Sequence, residues 1–145
     1  MIEEEIIALI KSSNTTLAKY QNKLKEIKHE IEEAEDALKN ARKHEEQFYA
    51  SIERRKCKSS GIFSGINQMK FLSGFCSQLN ELLSGNSFKS TESSIQHMIQ
   101  TIKNRIAELS DEYDKYVDLI RKTNYLLSNY ENDLVKCRNE MNEVN

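Results

Sequence analysis

The residues whose spacing could do chemistry are Glu26 and His29, because Glu-x-x-His is the pattern that helical bundles use to hold two iron ions. Glu30 and Glu33 lie nearby and add two further carboxylates. A bundle metal site also needs ligands that point inward and a second Glu-x-x-His segment. The apolar residues around this segment instead place Glu26, His29 and Glu33 on the solvent side of a helix. We therefore expect no metal site and no cofactor.

The other reactive side chains form no recognisable site. Cys57, Cys76 and Cys137 are odd in number and lack a Cys-x-x-Cys pair, so the sequence indicates neither a disulfide framework nor a zinc site. His44 and His97 have no accompanying nucleophile or acid that the sequence reveals. A phosphate-binding glycine loop and the Gly-x-Ser-x-Gly and His-Glu-x-x-His motifs are missing from the sequence. We therefore expect a protein that is not an enzyme.

The composition favours long helices in a single domain, residues 1–145. The chain has no proline and only four glycines, and 30% of its residues are charged. A formal net charge of -2 produces no field that would attract nucleic acid, so we expect no nucleic-acid partner. The sequence has no cleavable signal pattern and no run of roughly 20 apolar residues that could span a membrane. We expect a cytoplasmic protein without membrane contact, which a secretion complex could export without a cleaved signal peptide.

The first part of the chain carries apolar residues in a 4-3 rhythm, the heptad pattern of a helix with one narrow buried stripe. Only Ser13 and Glu45 interrupt this stripe, and its phase is kept across the polar cluster at 12–16. We expect a continuous first helix over about residues 2–56. Its stripe, the first seam, comprises Ile6, Ile10, Leu17, Tyr20, Leu24, Ile27, Ile31, Ala34, Leu38, Ala41, Phe48 and Ile52.

The same rhythm returns in the last third of the chain and predicts a second helix over about residues 90–144, capped by Ser87, Ser90 or Thr91. Since the two helices have similar lengths, we expect an all-α fold built on a long antiparallel coiled-coil hairpin. The second seam comprises Ile95, Ile99, Ile102, Ile106, Leu109, Tyr113, Tyr116, Ile120, Thr123, Leu127, Tyr130, Leu134, Cys137, Met141 and Val144.

The segment between the helices, residues 57–89, has little charge and contains all four glycines. Gly61 and Gly65 bracket a turn signal, and Gly85 has the position of a helix C-cap. Between the turn and the cap, apolar spacing predicts a short amphipathic helix over about residues 66–83. Its apolar face would comprise Ile66, Met69, Leu72, Phe75, Cys76, Leu79, Leu82 and Leu83.

The segment from Phe63 to Phe71 resembles the W-x-G-x-x-A-x-x-F turn of the WXG-motif superfamily, the small helical hairpins handled by type VII secretion systems. Phe63 stands for the tryptophan, Gly65 for the glycine and Phe71 for the later aromatic, while Gln68 replaces the small residue. With a long helix on each side, the whole chain resembles the small helical partner proteins encoded beside LXG toxins in Gram-positive bacteria.

The resemblance implies the role of a targeting partner or chaperone. The family's export signal, an aromatic residue followed four positions later by Asp or Glu near the end of the second helix, is missing, because Leu134 follows Tyr130 at that spacing. Tyr49 and Glu53 have the spacing but lie on the first helix. A protein of this kind would borrow the signal of the complex it joins.

Physical reasoning also predicts a helical partner. Two helices bury each seam from one side only, which leaves the apolar residues beside the second seam for another protein to cover. The partner would be the helical N-terminal region of an LXG toxin or another small helical protein. The alternative is a self-associating coiled-coil tether or homodimeric scaffold. The residues expected to contact the partner are Phe63, Gly65, Phe71, Phe75, Leu79, Val117, Leu119, Ile120, Leu126 and Leu127.

Overall fold

The computed structural model describes residues 2–66 and 85–144, and the side chains of 2–57 and 85–144. These residues form two helices, α1 (Glu3–Ile66) and α2 (Asn86–Val144), and no strand. The two helices pack against each other as a hairpin, so the predicted all-α hairpin is confirmed. The short helix predicted over 66–83 lies almost entirely outside the described residues.

The start of α1 and its polar cluster show how the helix is maintained. The carbonyl of Ile2 accepts hydrogen bonds from the backbone N–H groups of Glu5 and Ile6, at 3.0 and 3.2 Å. Glu3, Glu4 and Glu5 occupy the first turn, where carboxylates interact favourably with the helix dipole. Further on, the hydroxyls of Thr15 and Thr16 donate to the carbonyls four residues earlier, at 3.0 and 3.1 Å. The predicted continuity of α1 through this cluster is confirmed.

The end of α1 differs from the sequence-based expectation. The helix continues to Ile66, ten residues past the predicted end near Lys56, and it includes Gly61 and Gly65. Neither glycine has a positive φ angle, so neither makes the predicted turn. A glycine inside a helix costs only about 1 kcal/mol relative to alanine, and no proline is present to remove a backbone donor. Glycine alone is therefore a weak helix terminator here.

The start of α2 also differs from the prediction. The helix begins at Asn86, whereas the sequence suggested a start near Ser90. The Gly85 carbonyl accepts a hydrogen bond from the backbone N–H of Lys89 at 3.1 Å, which gives Gly85 the N-cap position. Thr91 lies inside the helix, where its hydroxyl donates to the carbonyl of Ser87 at 3.0 Å. Gly85 thus precedes a helix, and no residue from Ser87 to Thr91 is its cap.

The hairpin divides into two compact units, of which unit 1 contains Met1–Glu33 and Ala107–Asn145. In this unit the Nε of Arg138 donates to the carboxylate of Glu3 at 2.9 Å, which joins the end of α2 to the start of α1. The rings of Tyr20 and Tyr116 meet with their centroids 5.9 Å apart. The two contacts define an antiparallel register. The buried side chains of unit 1 are Ile6, Ile27, Leu109, Thr123 and Leu127.

Unit 2 contains Ala34–Ile106 and is also antiparallel, since Tyr49 of α1 contacts Glu92 of α2 while Glu45, four residues earlier, contacts Gln96, four residues later. Its buried side chains are Ala41, Ile52 and Ile99, all of which belong to the predicted seams. The described hydrophobic core of both units thus consists of seam residues, as the heptad pattern predicted.

Candidate partner-binding surface

The apolar residues predicted to lie beside the second seam are placed there by the helix geometry. Leu119 and Leu126 are one heptad apart, so they lie one above the other on the same flank of α2. Val117 lies on the opposite flank of the seam. Val117 and Leu119 are half-buried, whereas Leu126 remains 45% exposed. The flank that carries Leu119 and Leu126 is therefore the one that offers apolar surface outside the core.

A shallow depression lies on this flank. It has a volume of about 470 Å³ and is lined by Arg121, Lys122, Tyr125 and Leu126. Tyr125 is 69% exposed, so its ring forms an open edge of the depression. Leu119 and Lys115 lie on the same side of α2, one heptad before Leu126 and Lys122 respectively. We call this the Leu126 surface and define it as Lys115, Leu119, Lys122, Tyr125 and Leu126.

Positive charge borders the Leu126 surface. Arg121 is paired with Asp118 on the same helix, with 3.4 Å between guanidinium nitrogen and carboxylate oxygen. Lys115 and Lys122 are exposed, and neither forms an ion pair with any residue that the structure describes. Each lysine lies four positions before a leucine of the surface, which puts the two side chains side by side on the helix. The apolar strip is thus lined by two ammonium groups that form no ion pair with the described residues.

The other residues predicted to contact a partner are placed differently. Leu127 is only 7% exposed and belongs to the core of unit 1, so its side chain offers almost nothing to a second protein. Ile120 is half-buried on the seam. Phe63 and Gly65 lie within α1, and their side chains are not among those described. Phe71, Phe75 and Leu79 lie outside the described residues. Of the predicted contact residues, Leu119 and Leu126 share one flank of α2.

An aromatic cluster in unit 2 was missed by the sequence analysis. The rings of Phe48 and Phe88 stack with 5.5 Å between centroids and an interplanar angle of 18°. Tyr49 meets both rings edge-on, and the ammonium of Lys56 lies 5.9 Å from the centroid of the Phe88 ring. Phe88 is one heptad before Ile95, so extending the second seam backwards by one repeat would have found it.

Polar bonds link the two helices beside this cluster. The phenol of Tyr49 donates to the Glu92 carboxylate at 2.8 Å, and the amide of Gln96 donates to the Glu45 carboxylate. The hydrogen bond to Glu92 raises the pKa of Tyr49 above its ordinary value, and partial desolvation and the negative charges of Glu92 and Glu45 add to the shift. The cluster therefore explains how unit 2 is held together, and its polar groups are already engaged within the chain.

The segment considered for metal binding faces solvent. Glu26, His29 and Glu33 are exposed, and the imidazole of His29 lies 2.9 Å from the Glu33 carboxylate, an ordinary pairing along a helix. Among the residues that the structure describes, no group of three or more His, Cys, Asp or Glu side chains is placed to hold a metal ion. Within the same residues, neither helix has a segment long and apolar enough to cross a membrane.

Comparison of the chain with models of protein families, with curated proteins and with solved structures returns no match.

Proposed function

We propose that this protein is a non-enzymatic helical adaptor that binds a helical region of another protein through the Leu126 surface. The observation that carries the proposal is the 45% exposure of Leu126 on the same flank of α2 as the half-buried Leu119, two helical turns away. Removing a large apolar side chain from water contributes roughly 1.5–3 kcal/mol, and a helix is the element that covers a narrow apolar strip along another helix. A partner helix that packs on this flank would bury both leucines.

The proposed partner is the helical N-terminal region of an LXG-type toxin, which the adaptor would help to target for type VII secretion. Support for this finer proposal comes from the family resemblance and from the architecture, a hairpin of two helices with 64 and 59 residues. The position of Phe63 and Gly65 within α1 removes the turn on which the motif depended. The toxin assignment therefore rests mainly on the architecture, whereas the helical adaptor rests on the Leu126 surface.

Co-purification with the helical N-terminal region of an LXG toxin tests the proposal. We expect the wild-type chain to form a stable complex and Leu126→Asp to weaken it at least about tenfold, because an aspartate would be buried against apolar side chains. Val135→Asp is the matched control. Val135 is also an exposed apolar residue, at 58%, but nine positions further along α2 it lies on the opposite side of the helix. We expect the Val135→Asp variant to bind the toxin region like the wild type.

Equal binding by the wild type and Leu126→Asp would remove the Leu126 surface from the interface. Circular dichroism of each variant checks that the helices are retained. Since Leu126 is not a core residue, we expect both aspartate variants to keep the wild-type helix content.

A second candidate function, self-association as a tether or scaffold, is favoured by the exposed end of unit 1. Met141 and Val144 belong to the second seam and are 56% and 88% exposed. Ile2 is also exposed at this end. A scaffold would cover these side chains by pairing with another copy. Sedimentation equilibrium of the purified chain distinguishes the two candidates, since the adaptor proposal expects a monomer without its partner.

A further inference from the structure

We infer that the Leu126 surface is built for an acidic amphipathic helix, one whose apolar stripe is bordered by Asp or Glu at heptad spacing. This inference rests on the proposed adaptor function and adds the chemistry of the partner. It follows from two features of the surface, the paired leucines and the paired lysines beside them.

The leucines set the apolar requirement. Because Leu119 and Leu126 are one heptad apart, their side chains are separated by about 10 Å along α2. An incoming helix with apolar residues at heptad spacing presents a stripe with the same repeat and packs along both leucines. The exposed ring of Tyr125 extends the apolar strip outward, where it would contact the edge of the same helix.

The lysines set the charge requirement. Lys115 and Lys122 are also one heptad apart, and each adjoins one leucine of the surface. In coiled coils, residues that border the apolar stripe in this way choose the partner by forming ion pairs with oppositely charged residues across the interface. The one carboxylate between the two lysines, Asp118, is engaged by Arg121. Carboxylates on the partner helix, repeated once per heptad, would reach both ammonium groups.

The positive charge is local to the part of α2 that carries the two leucines. The segment 115–126 has three basic side chains and one acidic one, whereas Asp111, Glu112 and Asp114 directly before it are acidic. A partner helix bordered by lysine or arginine would meet like charges at Lys115 and Lys122, which is unfavourable. The surface therefore discriminates between helices of similar apolar content by the sign of their flanking charges.

Binding of two synthetic helical peptides to the full chain tests this inference. Each peptide has about 21 residues, or three heptads, with leucine at the a and d positions. One peptide has glutamate at the flanking e and g positions, and the other has lysine there. Each peptide repels copies of itself, so neither should self-associate. The two peptides then differ only in the sign of the flanking charge. Fluorescence anisotropy measures the affinity of each peptide for the wild type, Lys115→Glu/Lys122→Glu and Lys28→Glu/Lys103→Glu.

We expect the wild type to bind the glutamate peptide roughly 3- to 30-fold more tightly than the lysine peptide, with a preference that shrinks as salt is added. The Lys115→Glu/Lys122→Glu variant should reverse this preference. The Lys28→Glu/Lys103→Glu variant changes the net charge by the same amount, but at exposed sites outside the Leu126 surface. This variant should keep the preference for the glutamate peptide. Leu126→Asp should weaken the binding of both peptides.

Equal affinities of the wild type for the two peptides would overturn the inference, as would an unchanged preference after Lys115→Glu/Lys122→Glu. Self-association of the chain that Lys115→Glu/Lys122→Glu abolishes would also overturn it, because the surface would then be an interface between copies. If neither peptide binds while the toxin region is still captured in a Leu126-dependent way, the partner chemistry is wrong and the adaptor function stands. If capture fails as well, both proposals fail.

Discussion

The phenol of Tyr49 in α1 and the carboxylate of Glu92 in α2 are joined by a hydrogen bond of 2.8 Å, in which Tyr49 is the donor. This bond links the two helices of unit 2 directly beside the stacked rings of Phe48 and Phe88. A deprotonated Tyr49 would be an anion next to Glu92 and Glu45, so the link depends on the proton of the phenol. The stability of unit 2 should therefore decrease as the pH rises into the alkaline range.

The pH dependence has a definite sign. The pKa of Tyr49 is raised in the folded chain above the value of about 10 that applies to an unfolded tyrosine. The stabilisation is therefore complete below about pH 10 and is lost as the pH rises through the folded-state pKa. We expect Tyr49→Phe to have a lower Tm than the wild type at neutral pH, and the difference to shrink in strongly alkaline buffer. Thermal melts followed by circular dichroism from neutral to strongly alkaline pH measure this difference in Tm.

Tyr125→Phe is the control for this series. The Tyr125 ring is mostly exposed, so removing its hydroxyl should shift the Tm little and by the same amount at every pH. A Tyr49→Phe difference that stayed constant into alkaline buffer would show that the bond to Glu92 does not stabilise the fold.

The core of unit 1 gives a prediction about the free energy of unfolding. Ile27 and Leu109 are each 1% exposed, and truncation of such side chains leaves a cavity as well as losing the transfer free energy. We expect Ile27→Ala or Leu109→Ala to lower the free energy of unfolding by about 2–5 kcal/mol. Leu126→Ala should cost clearly less, because its side chain is half in solvent. Urea denaturation of the three variants ranks them, and equal losses would contradict the assignment of Leu126 to the surface.

The helical state of Gly61 can be tested by a substitution to alanine. Gly61 lies within α1 and has no positive φ angle, so alanine should be accommodated and should restrict the unfolded chain. We expect Gly61→Ala to raise the free energy of unfolding by about 0.5–1 kcal/mol. A turn that required the conformational freedom of glycine would instead make the same variant less stable. Helix content and urea midpoints separate the two outcomes, and they also test whether the WXG-like turn exists at this position.

The pairing of the two helices could be predicted from the sequence because a heptad seam encodes it directly. Residues such as Ile27 and Leu109 recur at positions that only a narrow buried stripe explains, and both are fully buried. All residues of the first seam are buried or half-buried, and those of the second seam are as well up to Cys137. Met141 and Val144 continue the same heptad pattern but are exposed, because the pattern alone does not specify whether another helix lies opposite.

The helix ends were predicted less well, for a physical reason. Gly61 and Gly85 both suggest a helix end in the sequence, yet Gly61 lies within a helix and Gly85 precedes one. Because glycine permits many backbone conformations, its presence does not specify which of them is used. The sequence also did not predict which of the predicted contact residues belong to the core and which to the surface. Leu126 and Leu127 are adjacent and of the same type, and they differ only in the side of α2 that they occupy.

Thr123 has a consequence for how firmly the two helices of unit 1 are aligned. It is a buried polar residue on the second seam, and its hydroxyl donates to the carbonyl of Leu119 on its own helix, at 2.8 Å. A buried polar group that bonds across to the neighbouring helix penalises sliding, whereas this one is satisfied wherever α1 happens to lie. Resistance to slippage by one repeat must then come from contacts such as Tyr20 with Tyr116 and Arg138 with Glu3.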